Sequence, residues 1–302
     1  MSKQPAKRAP GPPVHGQVIA AFGRQYLVET DACEFLRCVT RGKQGGLVCG
    51  DGVVAAPTGP GEGVVEAVDA RRSLFQRAAP HRAKPIAANA TQVAVVVAGE
   101  PSFSEELVYR AIAAAEHERM RALVVINKAD LVEPTRAAAA RLAPLGAIGY
   151  RVIALSAQAD VSPLAAALAG ETTVLVGQSG MGKSTIVNAL VPGANAETRE
   201  ISKFLDSGRH TTTHARLYHL DARTAIVDCP GLQDFGLAHL ARADIELGFP
   251  ELRPHLGACR FTDCSHRSEP GCAVRAAAAA GRIHPRRMEL LLRILEAERP
   301  AP

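Results

Sequence analysis

Eight consecutive residues restrict the possible folds of this chain more than any other feature: Gly177, Gln178, Ser179, Gly180, Met181, Gly182, Lys183 and Ser184. They lie between an apolar run at 173–176 and a helix-forming segment at 185–190 that opens on Thr185. A strand, a glycine loop and a helix start in that order make a P-loop, whose Cβ-free turns let backbone N–H groups and the positive helix end converge on phosphate. Lys183 is expected to reach the β- and γ-phosphates, and Ser184 to ligate Mg2+. Met181 occupies a position whose side chain is expected to point away from phosphate.

The base is specified upstream. Strands expected at 93–98, 122–126 and 152–155 alternate with helices at 105–119, 135–142 and 162–169, the rhythm of a parallel α/β sheet. Its loops fall at the carboxyl ends of the strands, where such sheets bind nucleotides. Directly after the second strand stand Asn127, Lys128, Ala129 and Asp130, an NKxD guanine reader. Asp130 can accept from guanine N1–H and N2–H2 together, a donor pair that adenine does not present. The Lys128 stem can lie over the ring, and Asn127 can tie this loop to the P-loop. After the next strand, Ser156 and Ala157 supply a backbone N–H for guanine O6.

Downstream of the P-loop, 197–214 is polar and poor in strand signals, and strands are expected at 215–220 and 224–227. The second ends at Asp228, Cys229, Pro230 and Gly231, a DxxG element. There Asp228 would hold the Mg2+ shell and Gly231 N–H would sense the γ-phosphate. One threonine of the run 211–213, taken here as Thr212, would close over the metal only when that phosphate is present. The segment 198–213 is therefore expected to be a switch, mobile without GTP. The usual GTPase order is rotated, with the guanine reader ahead of the P-loop, so the chain reads as a circular permutation of an unchanged sheet. DxxG then leads straight into the C-terminal segment.

That segment holds Cys259, Cys264, His266 and Cys272, spaced C-x4-C-x-H-x5-C. Three thiolates and one imidazole close a tetrahedral Zn2+ shell with no open position, a structural site. Reduced core cysteines are the alternative. Zinc in such a shell contributes on the order of 10 kcal/mol to folding a piece too small for its own core. Helices are expected at 274–280 and 286–298, with Arg282, Arg286, Arg287 and Arg293 on the surface.

Charge singles out the other end. The net +5 arises entirely within residues 1–88, which hold twelve Lys and Arg against seven Asp and Glu, whereas the remainder is balanced at 23 of each. Residues 1–13 read as a disordered basic tail. Strands expected at 16–21, 25–29, 34–40, 53–56 and 63–69, separated by glycine-rich turns, indicate a small closed barrel, for which an OB-fold fits. Arg71 and Arg72, just beyond it, could lie on a phosphate backbone or simply form a solvated basic linker. Cys33, Cys38 and Cys49 read as buried thiols. Seven irregularly spaced cysteines, no signal-peptide pattern at the N-terminus and no apolar run near about 18 residues indicate a cytoplasmic protein with no membrane partner.

Motif order, the string Arg209, His210, Thr211, Thr212, Thr213, the DxxG element followed by Phe235, Gly236 and Leu237, and the segment 259–274 together resemble one family closely. It is the circularly permuted small-ribosomal-subunit-dependent GTPases, the ribosome biogenesis GTPase A family. The resemblance implies a multidomain α/β architecture: an OB-fold barrel at 14–84, a permuted P-loop GTPase domain at 85–248 and a small helical zinc domain at 249–302. It further implies a monomer that binds GTP and GDP and contacts rRNA. Its GTP hydrolysis would be stimulated by the small ribosomal subunit during late maturation. The family's water-positioning histidine maps onto His210, beside Lys183 as the second catalytic residue. Leu232 stands where many GTPases carry a water-orienting Gln, so hydrolysis needs another group. A GTP-dependent RNA clamp with negligible turnover and a metabolic P-loop NTPase are the competing readings, the second disfavoured by the guanine reader.

Overall fold

The computed structural model describes residues 11–41, 45–79, 82–194 and 215–298. Five strands, β1 (Val14–Phe22), β2 (Gln25–Thr30), β3 (Phe35–Thr40), β4 (Gly52–Gly59) and β5 (Glu62–Val68), run in the order β1-β2-β3-β5-β4. An additional β1–β4 pairing closes them into a barrel, and β3–β5 is its parallel pair. Alternation along each strand turns Val18, Tyr26, Val28, Leu36, Cys38, Val53 and Val65 inward to form its core. A register shift between Val18 and Ala20 bends β1, so that Ala20 also pairs with Arg216. Through that contact the barrel joins the second sheet.

The second sheet has the order β10-β9-β8-β11-β13-β12. It comprises β8 (Gln92–Ala98), β9 (Arg121–Asn127), β10 (Arg151–Ala154), β11 (Thr172–Val176), β12 (Arg216–His219) and β13 (Ala225–Asp228), all parallel except β12. Strand β8 is buried at every position, as a central parallel strand requires. From β8 the chain winds outward through α1 (Glu105–His117), β9, α2 (Val132–Ala147) and β10. It then returns by α3 (Ser162–Leu168) to β11 on the other side of β8 and enters α4 (Lys183–Leu190). The winding reverses between β8 and β11, which makes the crevice at their carboxyl ends a topological switch point.

A hairpin, a short helix and a 3-10 turn have no counterpart in the sequence expectations. A hairpin of β6 (Leu74–Ala79) and β7 (Arg82–Ala88) crosses the position 84/85 where the domains were expected to divide. Ala78 N–H donates to Gly236 O at 2.7 Å, and Phe75 packs on Phe235 with ring centroids 5.4 Å apart, so the hairpin holds the segment after DxxG. A 3-10 turn, Pro250–His255, follows α5 (Arg242–Leu247) and precedes α6 (Ala273–Ala279) and α7 (Pro285–Ala297).

Several surface expectations are corrected. Arg287 is 1% exposed, because its guanidinium forms a bidentate pair with Glu251 and stacks on Tyr109 and Phe249. Arg286 and Arg293 are engaged by Glu105 and Glu106 of α1. Arg71 donates to the buried Asp51 at 2.7 and 2.8 Å and to Gly46 O, which ties the linker to the barrel. Cys33 is exposed in the β2–β3 turn, whereas Cys38 and Cys49 are buried and their thiols are pushed up to about 11 and about 12.

Candidate active site

The P-loop crosses from β11 into α4 beneath the guanine-reading loop. Gly177 and Gly182 are both required by contact as well as by conformation: their φ values are +152° and +86°. A Cβ at Gly177 would meet Val96 O at 2.2 Å, and one at Gly182 would meet Asn127 Nδ2 at the same distance. Met181 is buried in the core, which leaves its backbone to the loop, while Ser179, Gly180, Ser184 and Thr185 are exposed at its mouth. Lys183 is buried, and its Nζ donates to Gly177 O at 2.7 Å and Gln178 O at 3.1 Å.

Asn127 knots three loops. Its Nδ2 donates to Met181 O at 3.0 Å, and its Oδ1 accepts from Ala157 N–H at 3.0 Å. Of the Ser156–Ala157 segment expected to supply an N–H to guanine O6, the Ala157 N–H is thus engaged by Asn127. Asp130 is exposed and accepts from Ser156 Oγ at 2.6 Å, which fixes the orientation of its carboxylate. Lys128, at positive φ, stretches its Nζ to Glu100 O at 2.9 Å.

DxxG closes the third side. Leu232 N–H donates to Gly177 O at 3.1 Å, which sets Gly231 against the P-loop. Asp228 is buried at the end of β13, and burial pushes its carboxyl up to about 6 despite the opposing charge of Lys183. Burial likewise lowers the Lys183 ammonium, with Asp228 opposing. Leu232 is itself buried and apolar, and offers no hydrogen bond to a water. His210, Thr212 and the whole segment 198–213 lie outside the described residues.

Spacing motifs do not mark the loop 99–104 after β8, yet it lies at the switch point against the P-loop. Ser104 N–H donates to Gln178 Oε1 at 2.7 Å, and a Cβ at Gly180 would lie 3.2 Å from Pro101. Only the reversal of winding beside β8 could have pointed to it. A cavity of about 920 Å3 lies elsewhere, at the amino ends of β9 and β10 among Arg119, Arg121, Tyr150 and Arg151.

In the C-terminal segment, Cys259, Cys264, His266 and Cys272 bring their ligand atoms within 4.8 Å of one another. Cys259 Sγ is 3.9 Å from Cys272 Sγ, and His266 Nδ1 is 3.7 and 3.3 Å from these two sulfurs. The edges of a tetrahedron with Zn–S bonds of about 2.3 Å are roughly 3.8 Å, so the donor set fits zinc. His266 Nε2 faces Glu246 Oε1 at 3.4 Å, the carboxylate–histidine arrangement that fixes a metal-ligating ring. Glu269 accepts from Ser265, Arg267 and Ser268 N–H groups and holds the loop between the ligands.

Fold and site together define a circularly permuted P-loop GTPase. The family described as RsgA GTPase matches residues 68–238. The small ribosomal subunit biogenesis GTPase RsgA of Nitrosospira multiformis is 48% identical over 294 residues, 95% of this chain and 94% of that one. A protein of the same description from Ralstonia pickettii is 46% identical over 297 residues, 95% and 94% of the two chains. The crystal structure of YjeQ from Thermotoga maritima matches with a TM-score of 0.74 at 27% identity, covering 95% of this chain and 99% of that one. YloQ, described as a circularly permuted GTPase, has the same fold, with a TM-score of 0.69 at 23% identity and full coverage of both chains. The chain belongs to the RsgA GTPase family, and it is a GTP-hydrolysing enzyme. Among the described residues, no helix is long and apolar enough to cross a membrane.

Proposed function

We propose that this GTPase acts on the small ribosomal subunit as a late-maturation checkpoint, as a cytoplasmic monomer that alternates between GTP and GDP. The observation that carries this reading is the single site at which Asn127 joins the P-loop to the guanine loops, in a chain 48% identical over 95% of its length to a small ribosomal subunit biogenesis GTPase. Asp130 reads the base edge, the backbone from Gly177 to Thr185 with Lys183 cradles the phosphates, and Gly231 N–H senses the γ-phosphate. Ser184, Thr212 and Asp228 would hold Mg2+, which when bound neutralises charge on the phosphate oxygens. The buried Asp228 beside Lys183 suits that role, since a metal ion favours the ionised carboxylate.

Residues 14–84 serve as the rRNA-contacting barrel, 85–248 as the GTPase unit and 249–302 as the domain built around one structural zinc. Phe35 and Val39 point outward from β3, 52% and 43% exposed, on the side that OB-folds offer to nucleic acid. Because Leu232 cannot orient water, His210 takes that part when the subunit is bound, which makes turnover partner-dependent. The test is co-sedimentation with purified small subunits. Retention with a non-hydrolysable GTP analogue and release with GDP are expected, and equal retention in both states contradicts the checkpoint. His210→Ala is expected to abolish subunit-stimulated hydrolysis with nucleotide affinity near normal; a matching loss of affinity assigns His210 to packing.

A further inference from the structure

Loop 99–104 touches both the guanine reader and the P-loop while carrying none of the site's motifs. Glu100 O receives Lys128 from the guanine reader, Pro101 abuts Gly180, and Ser104 N–H donates to Gln178 of the P-loop. Ser104 is also the N-cap of α1, its Oγ accepting from Leu107 N–H. The next residue, Glu105, is 8% exposed, and its two carboxylate oxygens accept from Arg141 Nε at 2.8 Å and Arg286 Nε at 2.9 Å. Arg286 belongs to α7, beyond the metal loop.

We infer that Gln178 and Ser104 are positioning residues for the nucleotide site, and that Arg286 of the C-terminal helix holds them in place through Glu105. The inference rests on the nucleotide-binding reading above. Phosphate recognition by a P-loop depends on the directions of successive peptide N–H groups, and the Gln178 side chain fixes the second residue of that loop to a neighbouring helix. That helix start is in turn set by a buried carboxylate, which needs both of its charge-assisted partners. Removing Arg286 leaves Glu105 with Arg141 alone and frees the first turn of α1. The C-terminal segment thereby contributes to nucleotide affinity without touching nucleotide.

The experiment measures affinities for N-methylanthraniloyl-labelled GDP and GTP in the full chain. Gln178→Met, which keeps the length of the side chain but removes the acceptor, is expected to weaken both by about two- to tenfold, the worth of one hydrogen bond. Arg286→Ala is expected to weaken both in the same direction, and Arg286→Lys to recover part of the loss. The double variant Gln178→Met, Arg286→Ala should lose less than the product of the single losses, because both break the same strut. Arg253→Ala is the control: it removes an ion pair to Glu116 at the far end of α1, 2.6 Å long, and should leave affinity unchanged. Unchanged affinity in Gln178→Met, multiplicative losses, or an Arg253→Ala loss equal to that of Arg286→Ala overturns the inference. Wild-type protein that binds neither nucleotide sinks the underlying reading instead.

Discussion

Replacing Asn127 by alanine separates loop assembly from base contact. The side chain is 2% exposed and makes two bonds of 3.0 Å, one donated to Met181 O and one accepted from Ala157 N–H. Both partners are buried, so truncation leaves a carbonyl and an N–H unsatisfied at about 1–3 kcal/mol each. Part of this is recovered as the loops relax and admit water, and a net loss of about 3 kcal/mol follows. The assay is urea unfolding of the nucleotide-free protein, with the transition expected at lower urea and an unchanged slope. Guanine-nucleotide affinity should fall as well, by up to about 100-fold if most of that energy orders the loops on binding. A variant whose free form unfolds within about 0.5 kcal/mol of wild type while its affinity collapses would refute the reasoning. Asn127 would then act on the base alone.

Other consequences can be checked separately. Asp228 has a folded pKa of about 6 against about 3.9 unfolded, so the folded form binds the proton more tightly. Its contribution is favourable below about pH 4 and is lost as pH rises through about 6, at up to about 3 kcal/mol. Asp228→Asn should therefore raise the melting temperature of the nucleotide-free protein more at pH 8 than at pH 4; equal shifts contradict this. Glu251→Gln leaves the buried Arg287 with half a partner and should destabilise by about 3–5 kcal/mol in urea, whereas Glu251→Leu with Arg287→Met should come close to wild type. Native mass spectrometry should find one zinc per chain, lost in Cys272→Ser, and full zinc retention in that variant would remove Cys272 from the ligand set.

What could be read from the sequence was local. The P-loop, NKxD, DxxG and cysteine–histidine spacings each encode a short backbone shape with its chemistry attached, and the first three mark loops at the carboxyl ends of β11, β9 and β13. What escaped depends on distant partners. Arg287 looks like a surface residue of an amphipathic helix until Glu251, 36 positions earlier, is packed against it. The hairpin β6–β7 gains its purpose from Phe235, and loop 99–104 from Gln178. Cys33 lacks any apolar period that would distinguish a turn from a strand, and its exposure follows from its place in the turn between β2 and β3.

The central claim is that this permuted site turns over GTP rapidly only when a partner completes it. Its most direct test is GTP hydrolysis at a fixed enzyme concentration with and without stoichiometric small ribosomal subunits, with ATP in parallel. Slow GTP turnover alone, strong stimulation by subunits and little ATP turnover in either case are the expected results. Equal GTP rates with and without subunits, or ATP hydrolysed as fast as GTP, would contradict it.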